Sequence, residues 1–141
     1  MSQGSKLKEI LGDFALGKKS YGMALSILVV DDDHDVSLML KDRLTFLGFF
    51  VMTARNGAEA MAMLKILTVD GILLDIQMPE MDGITMLEQL GGQRPGMPVI
   101  VMTAELNKKK LLQAMERGAT DYILKPIDAD LLAQKCFTVF G

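Results

Sequence analysis

Ile27-Leu-Val-Val-Asp-Asp-Asp33 is the stretch on which the fold turns: four apolar residues in a row, three of them β-branched, stop abruptly at three carboxylates. A strand buried on one face alternates apolar and polar residues, whereas an unbroken apolar run suits a strand covered on both faces, as in a parallel sheet. The pattern recurs downstream, where Ile72-Leu-Leu74 ends at Asp75, Val99-Ile-Val-Met102 at Thr103, and Tyr122-Ile-Leu124 at Lys125. In an open parallel sheet the carboxyl ends of the strands share one edge, and ligands bind there. Asp31, Asp32, Asp75, Thr103 and Lys125 should therefore converge.

From about Leu25 onward, such runs alternate with longer segments of helical period, which predicts βαβ units with five strands and five helices. After the first acids, Val36, Leu38, Met39, Leu40, Leu44 and Leu47 have helical spacing and leave Ser37, Lys41, Asp42 and Arg43 for water, with Gly48 as the stop. A second strand over 49–53 leads through Asn56-Gly57 into a helix over 58–67 whose Ala60, Met61, Met63, Leu64 and Leu67 face inward. The loop Gln77-Met-Pro-Glu-Met-Asp-Gly83 precedes a short helix at 84–90, and the breaker-dense Gly91–Pro98 reads as a surface loop. A helix over 107–117 stops at Gly118, and Asp128 is placed to cap a last helix ending near Val139. Residues 1–24 stand apart as an N-terminal extension. There Leu7, Ile10, Leu11, Phe14 and Ala15 form a short amphipathic stripe that can dock on the domain or pair with a second copy as a homodimer, or be no more than a free leader or an appended segment.

At 141 residues the chain has room for one domain with a proper core, over 25–141, so every function must share it. The net charge of -3 gives no reason to expect direct nucleic-acid binding, and the short run Lys108-Lys-Lys110 reads as a solvated helix face. A single cysteine, Cys136, cannot form an internal disulfide, and one histidine without a cysteine partner excludes the usual zinc spacings. A reducing, cytoplasmic setting is expected. No apolar stretch approaches the roughly 20 residues that a bilayer requires, and no signal-peptide core begins the chain, so no membrane partner is expected.

Three carboxylates, a hydroxyl and an ammonium have the composition of a metal-assisted phosphoryl-transfer site. Bringing an anionic donor up to an anionic nucleophile requires compensating positive charge, and Mg²⁺ accepts oxygen ligands from two or three carboxylates plus a carbonyl. Asp31, Asp32 and Asp75 meet that need, and the Gln77 backbone carbonyl can complete it. Such catalysis is mainly alignment and neutralisation of the equatorial oxygens. Lys125 can neutralise one oxygen as a point charge, Thr103 can hydrogen-bond another, and Asp75 can act as nucleophile.

The segments Ile-Leu-Val-Val-Asp-Asp-Asp, Leu-Leu-Asp-Ile-Gln-Met-Pro-Glu-Met-Asp-Gly, Val-Ile-Val-Met-Thr-Ala and Tyr-Ile-Leu-Lys-Pro, in that order, resemble the receiver domain of two-component response regulators, of the chemotaxis-regulator kind, from about Leu25 to Val139. The resemblance implies a flavodoxin-like, doubly wound α/β fold with a five-stranded parallel sheet of order 2-1-3-4-5. It implies a phosphoacceptor at Asp75, Mg²⁺ held by Asp31, Asp32, Asp75 and the Gln77 carbonyl, and Thr103 and Lys125 on the phosphoryl group. It further implies a switch in which Thr103 moves toward the phosphate and the aromatic Tyr122 turns inward, a Lys125-Pro126 peptide that is usually cis, and positions tuning dephosphorylation rate at Gln77 and Glu105. The implied partners are a histidine kinase or phosphotransfer protein as donor and a downstream protein as target.

Each residue also has a plain reading. Asp75 alone would be a turn former, Lys125 a surface charge, Thr103 a satisfied hydroxyl, and Tyr122 simple packing with a partner for its hydroxyl. The twelve methionines serve as core filler, Cys136 as a small packed hydrophobe and His34 as an exposed helix-start residue. Asp33 can cap the first helix instead of joining the acid pair. Two other functions remain open on sequence. Asp31-Asp-Asp33 also satisfies the Asp-x-Asp pattern of an aspartyl-nucleophile phosphohydrolase of the haloacid-dehalogenase type, with Asp31 as nucleophile and Asp33 as acid/base, although the chain is short for that fold and the Asp75 loop goes unexplained. A pseudo-receiver, binding partners without being phosphorylated, is the third reading.

Overall fold

The computed structural model describes residues 24–78, 81–104 and 106–141. The amphipathic stripe expected within residues 1–24, and Glu105, lie outside the described residues.

Five strands form one sheet: β1 (Ser26–Val30), β2 (Phe50–Ala54), β3 (Gly71–Asp75), β4 (Val99–Ala104) and β5 (Asp121–Lys125). Every neighbouring pair is parallel and the order is β2-β1-β3-β4-β5. The connections carry α1 (His34–Phe46), α2 (Gly57–Leu64), α3 (Gly83–Gln93) and α4 (Lys108–Glu116), and α5 (Ala129–Val139) follows the last strand.

Why the strands are continuous apolar runs is explained by what covers them. Alternate residues point to opposite faces. Leu28, Val30, Ile72, Leu74, Val99 and Val101 pack with residues of α2, α3 and α4, while Ile27, Val29, Leu73, Ile100, Met102 and Ile123 pack with Leu40 and Leu44 of α1 and Leu132 and Cys136 of α5. Fully burying one such aliphatic side chain contributes about 1.5–3 kcal/mol, so the two layers hold the central strands from both sides. At the amino end of the sheet, a Cβ on Gly71 would collide with the Phe140 ring. That close approach fastens the end of α5 to the start of β3.

Helix starts follow the predicted chemistry. Asp33, Asn56, Asp82 and Asp128 each accept backbone N–H bonds from the first turn of α1, α2, α3 and α5. Gly48 and Gly118, just past α1 and α4, adopt positive φ of 101° and 104°, which only glycine takes without strain.

Two expectations are corrected. The breaker-dense stretch from Gly91 was expected to be loop, but α3 runs on through Gly91 and Gly92 to Gln93. Leu90 anchors this turn in the core, both glycines face open space, and Arg94 closes it by donating its N–H to the Leu90 carbonyl at 2.7 Å and its guanidinium to the Leu64 carbonyl at the end of α2. Those bonds offset the roughly 1 kcal/mol that each helical glycine costs. On α1, Leu38 and Met39 were expected to face inward and Ser37 outward, and the reverse holds. With Leu40 and Leu44 fixing the buried face, Ser37 lies one turn before Leu40 on that same face, and its hydroxyl bonds the Asp31 carbonyl at 3.3 Å. Leu38 and Met39 are carried round toward solvent.

Candidate phosphoacceptor and metal site

Adjacent parallel strands β1 and β3 end side by side, with Val30 opposite Leu74, and their chains then leave for opposite faces of the sheet. This is the crevice at which an open α/β sheet presents a ligand site. Asp31 follows β1 directly and Asp75 is the last residue of β3. Both carboxylates are held in the same way: Oδ1 of Asp31 accepts the Asp33 N–H at 2.9 Å, and Oδ1 of Asp75 accepts the Gln77 N–H at 3.0 Å. The two acids are nearly excluded from solvent, at 2% and 5% exposure.

Lys125 comes from the far edge strand. Its Nζ lies 3.1 Å from Oδ2 of Asp31 and 3.3 Å from Oδ2 of Asp75. Asp32 is exposed, yet one oxygen from each of Asp31, Asp32 and Asp75 falls within 4.8 Å of the others. Three hard oxygen donors at this spacing suit Mg²⁺, which takes few protein ligands and keeps several waters. The exposed Gln77, in the loop after β3, stands at the rim of the group.

Burial is the largest influence on Asp75 and pushes its carboxyl up; the Gln77 N–H opposes it, the Asp31 charge adds to it and Lys125 opposes it, leaving the group at about 6. Burial would lower Lys125, but Asp75 and Asp31 outweigh it and raise the ammonium above its ordinary range. Around neutral pH the centre therefore holds a charged lysine beside an ionised Asp75. Outside the centre, the Thr85 N–H holds Asp82, the cap of α3, below the usual carboxylate range.

The structure brings the three acids and Lys125 together. Thr103, one residue beyond the Met102 that pairs with Asp75, stands at the same edge and is 1% exposed, with its hydroxyl donating to the Ala104 carbonyl at 3.3 Å. Tyr122 is 38% exposed on β5. The Lys125–Pro126 peptide is cis. Asp33 is engaged elsewhere: its Oδ1 accepts the N–H groups of Asp35 and Val36 at 3.0 and 3.2 Å, so the third acid serves the helix and not the cluster. His34 is exposed at the first turn of α1, and Cys136 is fully buried, its thiol pushed up to about 12 by burial.

Sequence reading missed Lys135 of α5. Its Nζ reaches Asp121 and the Tyr122 carbonyl and lies over the Tyr122 ring. A single lysine on an amphipathic helix carries no local signal for this; only the packing of α5 beside β5 reveals it.

Comparison with known proteins gives a consistent result. A family model described as the response regulator receiver domain matches residues 27–137. The regulatory protein AtoC of Escherichia coli K12 is 40% identical over 106 residues, covering 75% of this chain and 23% of AtoC. The DNA-binding transcriptional regulator NtrC of the same organism is 40% identical over 104 residues, covering 74% of this chain and 22% of NtrC. The chain thus spans about a quarter of the length of these relatives. Among solved structures, the Vibrio cholerae chemotaxis protein CheY4 superposes with a TM-score of 0.78 at 28% identity, covering 83% of this chain and 99% of CheY4. The receiver domain of a signal transduction histidine kinase from Syntrophus aciditrophicus gives 0.76 at 34% identity, covering 82% of this chain and 89% of that one.

Proposed function

This chain belongs to the family of response regulator receiver domains, the signalling modules of two-component systems, and on that premise we propose that Asp75 accepts a phosphoryl group from a phosphohistidine on a histidine kinase or phosphotransfer protein. One observation carries the assignment. A single ammonium, Lys125, bridges Asp31 and Asp75 at the carboxyl edge of the sheet, with Asp32 close enough to complete a cation site.

The chain's own groups account for most of the chemistry. With its carboxyl at about 6, Asp75 is ionised near neutral pH and can attack phosphorus, forming an O–P bond as the donor's N–P bond breaks and the electron pair returns to the imidazole. The Gln77 N–H fixes one Asp75 oxygen and so orients the other. Lys125, already poised between two carboxylates, can shift toward the incoming equatorial oxygens, and the Thr103 hydroxyl can exchange its Ala104 carbonyl for another of them. Asp31, Asp32, Asp75 and the Gln77 carbonyl would hold Mg²⁺, which supplies neutralising charge to the transferring group. Gln77 and Glu105 are proposed as the residues that set how readily water reaches the phosphoryl group. Phosphorylation then biases two pre-existing conformations, read out by protein contacts around Tyr122 and α4. The setting is proposed to be the reducing cytoplasm; among the described residues, no helix is long and apolar enough to cross a membrane.

The phosphohydrolase alternative gives way to the family assignment, and its acid/base, Asp33, is occupied as a helix cap. The deciding experiment is intact mass after incubation with acetyl phosphate, with and without Mg²⁺. A Mg²⁺-dependent gain of one phosphoryl group, absent in Asp75→Ala, supports the proposal. No gain in the wild type would favour a pseudo-receiver, and a gain surviving Asp75→Ala would move the nucleophile to Asp31.

A further inference from the structure

Lys135 makes three contacts with the segment that carries the switch aromatic. Its Nζ donates to Oδ1 of Asp121 at 3.1 Å and to the Tyr122 carbonyl, and it sits 4.5 Å from the centroid of the Tyr122 ring. The same Asp121 oxygen accepts the Tyr122 N–H at 2.8 Å. The first two acceptors, a carboxylate braced by the backbone and a main-chain carbonyl, do not depend on the Tyr122 rotamer. The ammonium is therefore fixed in place before the ring meets it. Only 19% of the Lys135 side chain is exposed, so the charge over the ring is partly withdrawn from water, the condition under which a cation–π contact gains strength.

We propose that Lys135 is a positioning residue that holds the Tyr122 ring outward and thereby sets how seldom the unphosphorylated domain visits its activated conformation; this rests on the reading of Tyr122 as the switch aromatic. When the ring turns inward it leaves the cation, while the bonds of Lys135 to Asp121 and to the Tyr122 carbonyl stay. The ring contact is thus the part of the network that distinguishes the two states, and a contact made in one state alone shifts the equilibrium between them. For a partly exposed cation–π pair the shift is about two- to fivefold.

The test uses the full chain labelled with 3-fluorotyrosine. The sequence has two tyrosines, and the resonance lost in Tyr122→Phe identifies the switch ring. Titration with beryllofluoride in the presence of Mg²⁺, followed on that resonance, measures the apparent affinity for a phosphoryl mimic, which scales with the population of the competent conformation. Lys135→Met, neutral and of similar shape, should lower the titration midpoint about two- to fivefold, and Lys135→Arg, which can still stack on the ring, should restore it. A merely structural role would loosen the domain and weaken binding, giving the opposite sign. An unchanged or raised midpoint in Lys135→Met, in a series where the wild-type resonance responds, overturns the proposal and leaves the switch intact. A wild-type ring that does not respond while the mimic binds removes the switch reading, and Lys135 with it.

Discussion

Asp75→Asn offers the sharpest quantitative check on the electrostatics of the site, because the substitution removes a charge and keeps the shape. In the metal-free protein the Asp75 carboxyl is raised from 3.8 to about 6, chiefly by burial and then by the neighbouring Asp31 charge, against the opposing Gln77 N–H and Lys125. A shift of this size corresponds to about 3 kcal/mol between the ionised and neutral forms. The folded protein binds this proton more tightly than the unfolded chain does. The contribution is therefore fully present below the unfolded value of 3.8, fades as pH rises from about 4 to 6, and is absent above that window. Near pH 7.5 the ionised wild type should accordingly be about 2–3 kcal/mol less stable than Asp75→Asn, allowing for the imperfect fit of an amide to Lys125. Near pH 4 the difference should shrink toward zero. Urea unfolding followed by circular dichroism in the presence of EDTA measures both values. Equal stabilities near neutral pH, or a difference that does not change with pH, would refute the account of Asp75 as a buried, strained charge.

Three further outcomes follow from the same geometry. Apparent Mg²⁺ affinity, measured by calorimetry, should weaken about tenfold between roughly pH 7 and pH 5, because a proton on Asp75 competes with the cation. Lys125→Ala should leave Mg²⁺ binding largely intact, since Asp31, Asp32 and Asp75 remain, while slowing phosphorylation by acetyl phosphate by about a hundredfold through loss of a charge aimed at the transferring group; undiminished phosphorylation would remove Lys125 from the chemistry. Gly71→Ala should destabilise the domain by about 1–3 kcal/mol in urea unfolding, because its methyl meets the Phe140 ring and α5 must shift.

Much of this was legible in the sequence for a physical reason. Strands buried on both faces must be apolar throughout, so their ends are announced by the first polar residue, and in a parallel sheet those ends share one edge. Asp31, Asp75 and Thr103 could be placed from that rule; Lys125 ends the edge strand β5, where Ile123 is buried but Tyr122 and Leu124 are exposed, and was placed by the likeness of its apolar run to the others. What was misread depended on three-dimensional surroundings. Gly91 and Gly92 have the composition of a loop, and only the anchoring of Leu90 and the bonds of Arg94 keep them helical. Ser37 looks like a solvent-facing residue, yet a single bond to the Asp31 carbonyl satisfies it inside. Asp31-Asp-Asp33 left the choice of acid pair open until the turn geometry assigned Asp33 to the helix. Lys135 was invisible because its meaning lies in the neighbouring strand.

The two buried acids are held by main-chain N–H groups of residues 33 and 77, not by side chains of those residues. Scaffold and tuning are thereby separated in the chemistry of the site. Any amino acid with a backbone N–H can stand at position 77 and keep Asp75 aimed, while its side chain is free, on the proposed reading, to shield the phosphoryl group, admit water to it or contact a partner. Proline alone would undo both functions at once. On the proposed reading of Asp75 as phosphoacceptor, the lifetime of the signal is then open to variation at Gln77 over a wide chemical range without disturbing Asp75.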